Sequence, residues 1–212
     1  MMKFAALFAS LMIGSSAHAY YSVMDTGEIM APGHYKLTPE LQFVTDDGGV
    51  NLGTHFDIGI NEETGIRAEV GFGDVDFYLG ALMKYMPFPD VENQPAIGFN
   101  LGLVYARDAG DTDLTLRFEP IVSKKFMFDW GSLTPYASLP VGLQHRSAEV
   151  YAHDHNNLTF QLSGGTQVDV NEIPDWGFLA EFGIDINKAI GYVSFGGAWY
   201  FGKEGGKKPA AD

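Results

Sequence analysis

Hydrophobic and polar positions alternate along most of the chain with a period of two, and turn residues break the alternation at intervals. The first run, His34 to Thr45, sets Tyr35, Leu37, Leu41 and Phe43 on one face, against Lys36, Thr38, Glu40 and Gln42. Asp46-Asp47-Gly48-Gly49 is a turn signal, after which Val50 to Ile60 resumes with Leu52, Phe56, Ile58 and Ile60 opposite His55 and Asp57. Asn61 to Gly65 turns the chain again, and Ile66, Ala68, Val70 and Phe72 then oppose Arg67, Glu69 and Gly71. The same pattern returns at Val75–Met86, Ala96–Arg107, Thr112–Lys125, Leu133–Gln144, Leu158–Gln167, Gly177–Asn187 and Ile190–Phe201. Pro135 and Pro140 lie in the seventh run, and proline cannot donate to a ladder, so a bulge or an interrupted edge is expected there.

About ten runs of about ten residues suit strands that cross a bilayer at a tilt. An even number returns the chain to the side it entered. The pattern therefore predicts an all-β fold: a closed, antiparallel, up-and-down transmembrane β-barrel over residues 34–201, with eight strands as the alternative count. A soluble sandwich would alternate too, so the contents of the two faces decide. The polar face is rich in small residues (Gly59, Gly71, Gly80, Gly98, Gly102, Gly142, Gly183 and Gly196), as a narrow lumen requires. The apolar face is nearly free of charge, as it must be where a charge at the midplane costs ~2–4 kcal/mol. Tyr85, Phe128, Trp130, Trp176, Trp199 and Phe201 fall at strand ends on one side, which reads as an aromatic girdle at a membrane interface.

The N-terminus adds a destination. Lys3, the apolar stretch Phe4 to Gly14, and Ser15-Ser16-Ala17-His18-Ala19 have the form of a secretory leader over 1–19, with Tyr20 as the expected first mature residue. Residues 20–33 are then expected to be a periplasmic lead-in to the barrel. The net charge of −14 argues against a nucleic-acid partner, and the absence of cysteine removes disulfides and thiolate chemistry. No later apolar run approaches the ~20 residues of a membrane helix.

Ser194, Gly196, Trp199 and Phe201 in the last run resemble the targeting signal of bacterial outer-membrane β-barrel proteins: a polar residue, a glycine, then alternating hydrophobics. The chain from His34 to Phe201 resembles small porin-like and OmpA-type barrels as a superfamily pattern. That resemblance implies the outer membrane as location. It implies outer-membrane lipid, the barrel-assembly machinery and periplasmic chaperones as partners. Gly202 to Asp212 follow Phe201 and are expected as a disordered periplasmic tail.

Inward-facing charges carry the functional reading. Glu40, His55, Asp57, Arg67, Glu69, Lys84, Arg117, Glu119, Glu181 and Asp185 all fall on the polar faces and are expected to form one luminal network. Buried charges must be paired, so the network either plugs the lumen or lines a slender, cation-preferring pore for small solutes or ions. The outward segment Arg146 to Asn157 holds His153-Asp154-His155, with His145 and Ser147 nearby. Those residue types suit a metal, an outer-membrane enzyme or an adhesin-like surface, but no third ligand or oriented nucleophile accompanies them. No catalytic residue, metal or cofactor is assigned.

Overall fold

The alternating runs become twelve hydrogen-bonded segments in the computed structural model, which describes residues 22–45, 48–108, 110–147 and 155–202. They are β1 (His34–Val44), β2 (Gly49–Gly59), β3 (Thr64–Gly73), β4 (Phe77–Phe88), β5 (Ala96–Asp108) and β6 (Asp111–Ser123), followed by β7 (Phe126–Phe128), β8 (Gly131–Ser138), β9 (Val141–Ser147), β10 (His155–Val170), β11 (Trp176–Asn187) and β12 (Tyr192–Gly202). Each pairs antiparallel with its neighbour, and β12 returns to β1 with Trp199 opposite Leu37 and Gly196 opposite Glu40. The wall closes on itself, and among the described strands the short β7 is paired on one side only, with β8.

Two of the staves are composite. Ser123 pairs Tyr136 and Phe126 pairs Leu133, so β7 continues β6 in unbroken register across Lys124 and Lys125. In the same way Ser138 and Val141 keep one register against both β6 and β10, so β8 and β9 are one stave. Ten staves close the barrel. The interruption expected at the prolines falls at Leu139–Pro140, between β8 and β9, and leaves the register unchanged. Pro120 lies opposite Leu139 and Pro140 opposite Glu119, and the ladders are held there by Leu139 N–H donating to the Pro120 carbonyl (3.3 Å) and Gln161 N–H donating to the Pro140 carbonyl (3.0 Å). The register shifts lie at Tyr85/Phe88, in the β4–β5 ladder, and at Phe160/Gln161, in the β10–β11 ladder beside Pro140.

Burial is inverted relative to a water-soluble fold. Leu52, Phe72, Leu79, Leu103, Leu116, Leu143, Phe178 and Phe195 point outward and are exposed. Arg67, Arg117, Lys36, His55 and Gln42 point inward and are almost wholly buried. An apolar belt around a closed wall far exceeds the patch that a soluble monomer leaves in water. Only hydrocarbon satisfies it, and only a closed sheet pairs every backbone group there.

The narrow interior is fitted by cross-strand pairs of glycine and tyrosine. Gly71 faces Tyr78, Gly165 faces Tyr136 and Gly183 faces Tyr192, and a β-carbon at any of the three would collide with the opposing ring. The rings thus lie flat across the inner wall. Like Met24, Leu82, Ile121 and Met86, each of the three is buried.

Residues 22–33 do not lead up to the barrel from outside. Ser22, Val23, Met24, Asp25 and Thr26 are completely or almost completely buried inside it. The segment enters at the mouth formed by the start of β1, called here the entry mouth, and runs inward to the middle of β12. Its exit towards β1 is tight: Pro32 bridges Gly59, where a β-carbon would strike the Met30 carbonyl. Gly202, expected in the tail, is the last residue of β12 and pairs His34. The expected leader 1–19, the first mature residue Tyr20 and residues 203–212 lie outside the described residues.

Leu103 sits mid-wall on β5 and is 53% exposed. Leu103→Arg is expected to lower the stability of the barrel in lipid vesicles by ~2–4 kcal/mol, read from urea unfolding. An unchanged midpoint would show that this face does not contact hydrocarbon.

Candidate functional site: a sealed and charge-paired lumen

Asp25 is the centre of the luminal network. Its carboxylate lies 2.8 Å from Lys84 Nζ, 3.1 Å from Arg67 and 3.3 Å from Lys36, cations that come from β4, β3 and β1. Arg67 makes a two-pronged pair with Asp57, Nε to Oδ1 at 2.7 Å and Nη2 to Oδ2 at 3.0 Å, and also donates to the Val23 carbonyl. Lys84 donates to the Thr26 and Glu28 carbonyls, each at 2.7 Å. One acid on the inner segment thus meets three cations on the wall, and two of those cations also hold the segment's backbone.

A second branch crosses the barrel. Glu40 lies 2.9 Å from His55 Nε2, and His55 Nδ1 lies 3.7 Å from Glu69. Arg117 donates to Glu69 at 2.6 Å and forms an ion pair with Glu119 at 2.8 Å. Asn100 then joins the branches, donating to Glu119 at 3.0 Å and reaching Asp25 at 3.4 Å.

Glu181 stands apart because no cation among the described residues pairs with it. It accepts the Val23 and Met24 amides at 2.8 and 2.6 Å, the Tyr136 hydroxyl at 2.6 Å, and the Tyr192 hydroxyl. The glycines opposite those tyrosines are what allow the two hydroxyls to converge on it. The buried end of the inner segment is therefore anchored by its backbone, whatever its side chains.

At the far mouth two turns tuck inward. Val75 and Ile190 are buried, with Val75 N–H donating to Asn51 Oδ1 (3.0 Å) and Gln161 Nε2 donating to the Ile190 carbonyl (2.7 Å). Gln42, Asn51, Gln144 and Gln161 make this level a neutral amide layer above the charged one.

Nine of the ten expected network residues lie in the lumen: Glu40, His55, Asp57, Arg67, Glu69, Lys84, Arg117, Glu119 and Glu181. Asp185 does not. Alternation points it inward, but β11 has by then passed the far mouth, and the exposed carboxylate instead accepts the Ala189 amide at 2.9 Å. Lys36 and Asp25 were missed as members. Lys36 already lay on the polar face of the first run, whereas nothing periodic marks Asp25.

The aromatic residues gather at the entry mouth. Trp176 stacks on Trp199 at 6.3 Å, Trp199 meets Phe201 at 4.8 Å, and Phe128 stacks on Trp130 at 5.3 Å. Tyr85 meets Phe99 edge-on at 5.7 Å. Of the four residues read as an assembly signal, Ser194 is buried inside the wall and Gly196 lies on the same inner face, while Trp199 is exposed on the outer face and Phe201 stacks there. In the outward segment His145 Nδ1 bonds Asn156 at 2.9 Å and Ser147 ends β9, while His153 and Asp154 fall outside the described residues. Among the described residues, no group of three or more His, Asp or Glu side chains is placed to hold a metal ion.

The fold and interior define a transmembrane β-barrel whose lumen is filled by its own N-terminal segment and by paired charges. No model of a protein family matches the chain, and no curated protein matches its sequence. Among solved structures, the translocator domain of the autotransporter NalP from Neisseria meningitidis is similar at 13% identity and a TM-score of 0.45, over 94% of this chain and 94% of that one. A de novo designed transmembrane β-barrel is similar at 14% identity and 0.40, over 82% of this chain and 99% of the design. Ail, the attachment invasion locus protein of Yersinia pestis, solved with the heparin analogue sucrose octasulfate, is similar at 10% identity and 0.33, over 80% of this chain and 99% of Ail. The likeness is one of barrel architecture and goes no further.

Asp25 belongs to the inner segment, not to a stave. Burial pushes its carboxyl up, but Arg67, Lys84 and Lys36 together outweigh burial and hold it below its ordinary value of 3.8. A depressed carboxyl contributes stability that is present above its unfolded value and is lost as pH falls through the folded one. Amide protection of residues 22–30, corrected for intrinsic exchange, is therefore expected to persist from neutrality down to about pH 4 and to collapse only below it. Asp25→Ala is expected to destabilise the barrel by about 3–5 kcal/mol, with part recovered in Asp25→Ala/Lys84→Met. Equal losses in the single and double variants would remove Asp25 from the centre of the network.

Proposed function

We propose that this protein is a structural barrel of the bacterial outer membrane, closed at rest by its own N-terminal segment. The leader read at 1–19 would deliver it to the periplasm. Chaperones and the barrel-assembly machinery would take it up through the signal at Ser194, Gly196, Trp199 and Phe201. In this reading the aromatic cluster at the entry mouth is the periplasmic girdle, and outer-membrane lipid covers the apolar wall.

One observation carries the sealed reading: Ser22 to Thr26 fill the middle of the lumen and are bonded to the wall through both Asp25 and Glu181. Charged and amide side chains packed above and below the segment support a lumen closed to the continuous water path a pore requires.

A second reading, a slender gated pore, is favoured by the charge of the interior. The buried acids are Asp25, Glu40, Asp57, Glu69, Asp113, Glu119, Asp169 and Glu181, against the bases Lys36, Arg67, Lys84 and Arg117 and the imidazole of His55. A lumen with that excess would admit cations before anions once the segment left it.

Planar-bilayer recording separates the two. The refolded full-length mature protein is expected to insert silently, and a variant beginning at Ala31 to show small, steady, cation-preferring openings. Steady conductance from the full-length protein would overturn the sealed barrel.

A further inference from the structure

Among the described strands, β7 alone lacks a neighbour on one side. β5 begins at Ala96, opposite Ser123, but the stave beside it runs on through Phe126–Phe128. The same register would set residues 91–93 next to β7. Val91 and Gln94 instead bond each other's backbones in a turn, so no strand lies there. Met127, the turn residues Pro89 and Glu92, and the last pair of the β5–β6 ladder, Ala96 and Ser123, line a cavity of about 400 Å³. The open edge of β7 and this cavity are one place.

Backbone groups alternate between the two sides of a strand. Lys124 N–H donates to the Pro135 carbonyl (3.1 Å), on the β8 side, so Lys125 and Met127 turn theirs to the open edge. Asp90 takes the first of these, accepting Lys125 N–H at 2.6 Å. The N–H and carbonyl of Met127 have no partner among the described residues. The Met127 side chain is 66% exposed and shares the inner face with Ser123, and the cavity beside it also meets Ile29 and Met86. Lys125 is tied to Glu28 and Lys124 to Asp90, whereas the exposed Glu62 and Glu92 take no part in those pairs. The edge therefore offers an unused donor and acceptor, an apolar recess and a rim of negative charge.

We propose that β7 receives an extended, basic peptide segment of another protein as an added antiparallel strand. The residue opposite Met127 exchanges both N–H···O=C bonds with it, and its apolar side chain enters the cavity against Ile29 and Met86. Residues two positions to either side share that face and carry cations to Glu62 and Glu92. Backbone pairing holds the peptide and the recess selects it, as in other strand-addition sites. A compact ligand could fill the cavity but could not complete the ladder. The site does not depend on whether the barrel conducts.

The probe is the blocked peptide acetyl-Lys-Thr-Leu-Thr-Lys-amide, titrated into the folded full-length mature barrel in non-ionic micelles while the protein's amide resonances are recorded. A saturable shift of the Met127 amide is expected, with its exchange slowed about tenfold at saturation and that of Leu103 unchanged. The same peptide methylated on the leucine nitrogen cannot donate to the Met127 carbonyl and is expected to bind about tenfold more weakly. Glutamate in place of both lysines is expected to cost about fivefold, and less at high salt. Met127→Pro removes the edge donor at a position where proline leaves the β8 ladder intact, and is expected to weaken binding about tenfold. The proposal is overturned if the methylated peptide binds as well as its parent, if the Met127 amide does not respond, or if the glutamate peptide binds equally.

Discussion

A carboxylate shared by three cations is the constraint from which the interior follows. Lys36, Arg67 and Lys84 project into the same level of a lumen shielded from bulk solvent, and the wall itself offers them mainly Asp57. Buried like charges that close cannot coexist without a further anion. Asp25 supplies it, and only a segment threaded into the barrel can bring an acid to that point. The position of the N-terminal segment is therefore an electrostatic requirement of the wall as much as a feature of the segment.

The rest of the packing is arranged to let that segment in. Glycines at 71, 165 and 183 leave room for three tyrosine rings to lie against the inner wall. Two of those rings aim their hydroxyls at Glu181. That carboxylate then receives the first described amides of the segment, and Gly59 admits the backbone where the segment turns into β1. Outside, the same staves present an uncharged surface that only lipid satisfies. Each strand thus answers to two surroundings, hydrocarbon on one face and a buried ionic interior on the other, and period-two alternation is how one sequence meets both.

This explains what could be read from the sequence and what could not. The staves and their inner charges were legible because strand geometry makes orientation a matter of counting: Arg67 and Glu69 must share a face, and hairpin pairing must set Asp57 beside Arg67. Counting fails where the periodic element ends. Asp185 has inward parity but lies beyond the mouth, so a local bond to the Ala189 amide claims it. Pro140 does interrupt its run, between β8 and β9, but its carbonyl still accepts from Gln161 on β10 and the register on either side is kept. Ser22 to Met30 carry no period at all, and nothing local says that they belong inside. Their place is fixed by partners more than a hundred residues away, Glu181 and Tyr136 above all.

The N-terminal segment lies in the lumen of the folded barrel, and magnetic resonance on the unmodified protein in micelles tests this most directly. Val23 and Met24 share the Glu181 carboxylate with Tyr136 and Tyr192. Nuclear Overhauser contacts between those two amides and the ring protons of both tyrosines are therefore expected, together with slow amide exchange from Val23 to Gly27. Narrow, random-coil resonances for these residues, with no contact to either ring, would contradict it.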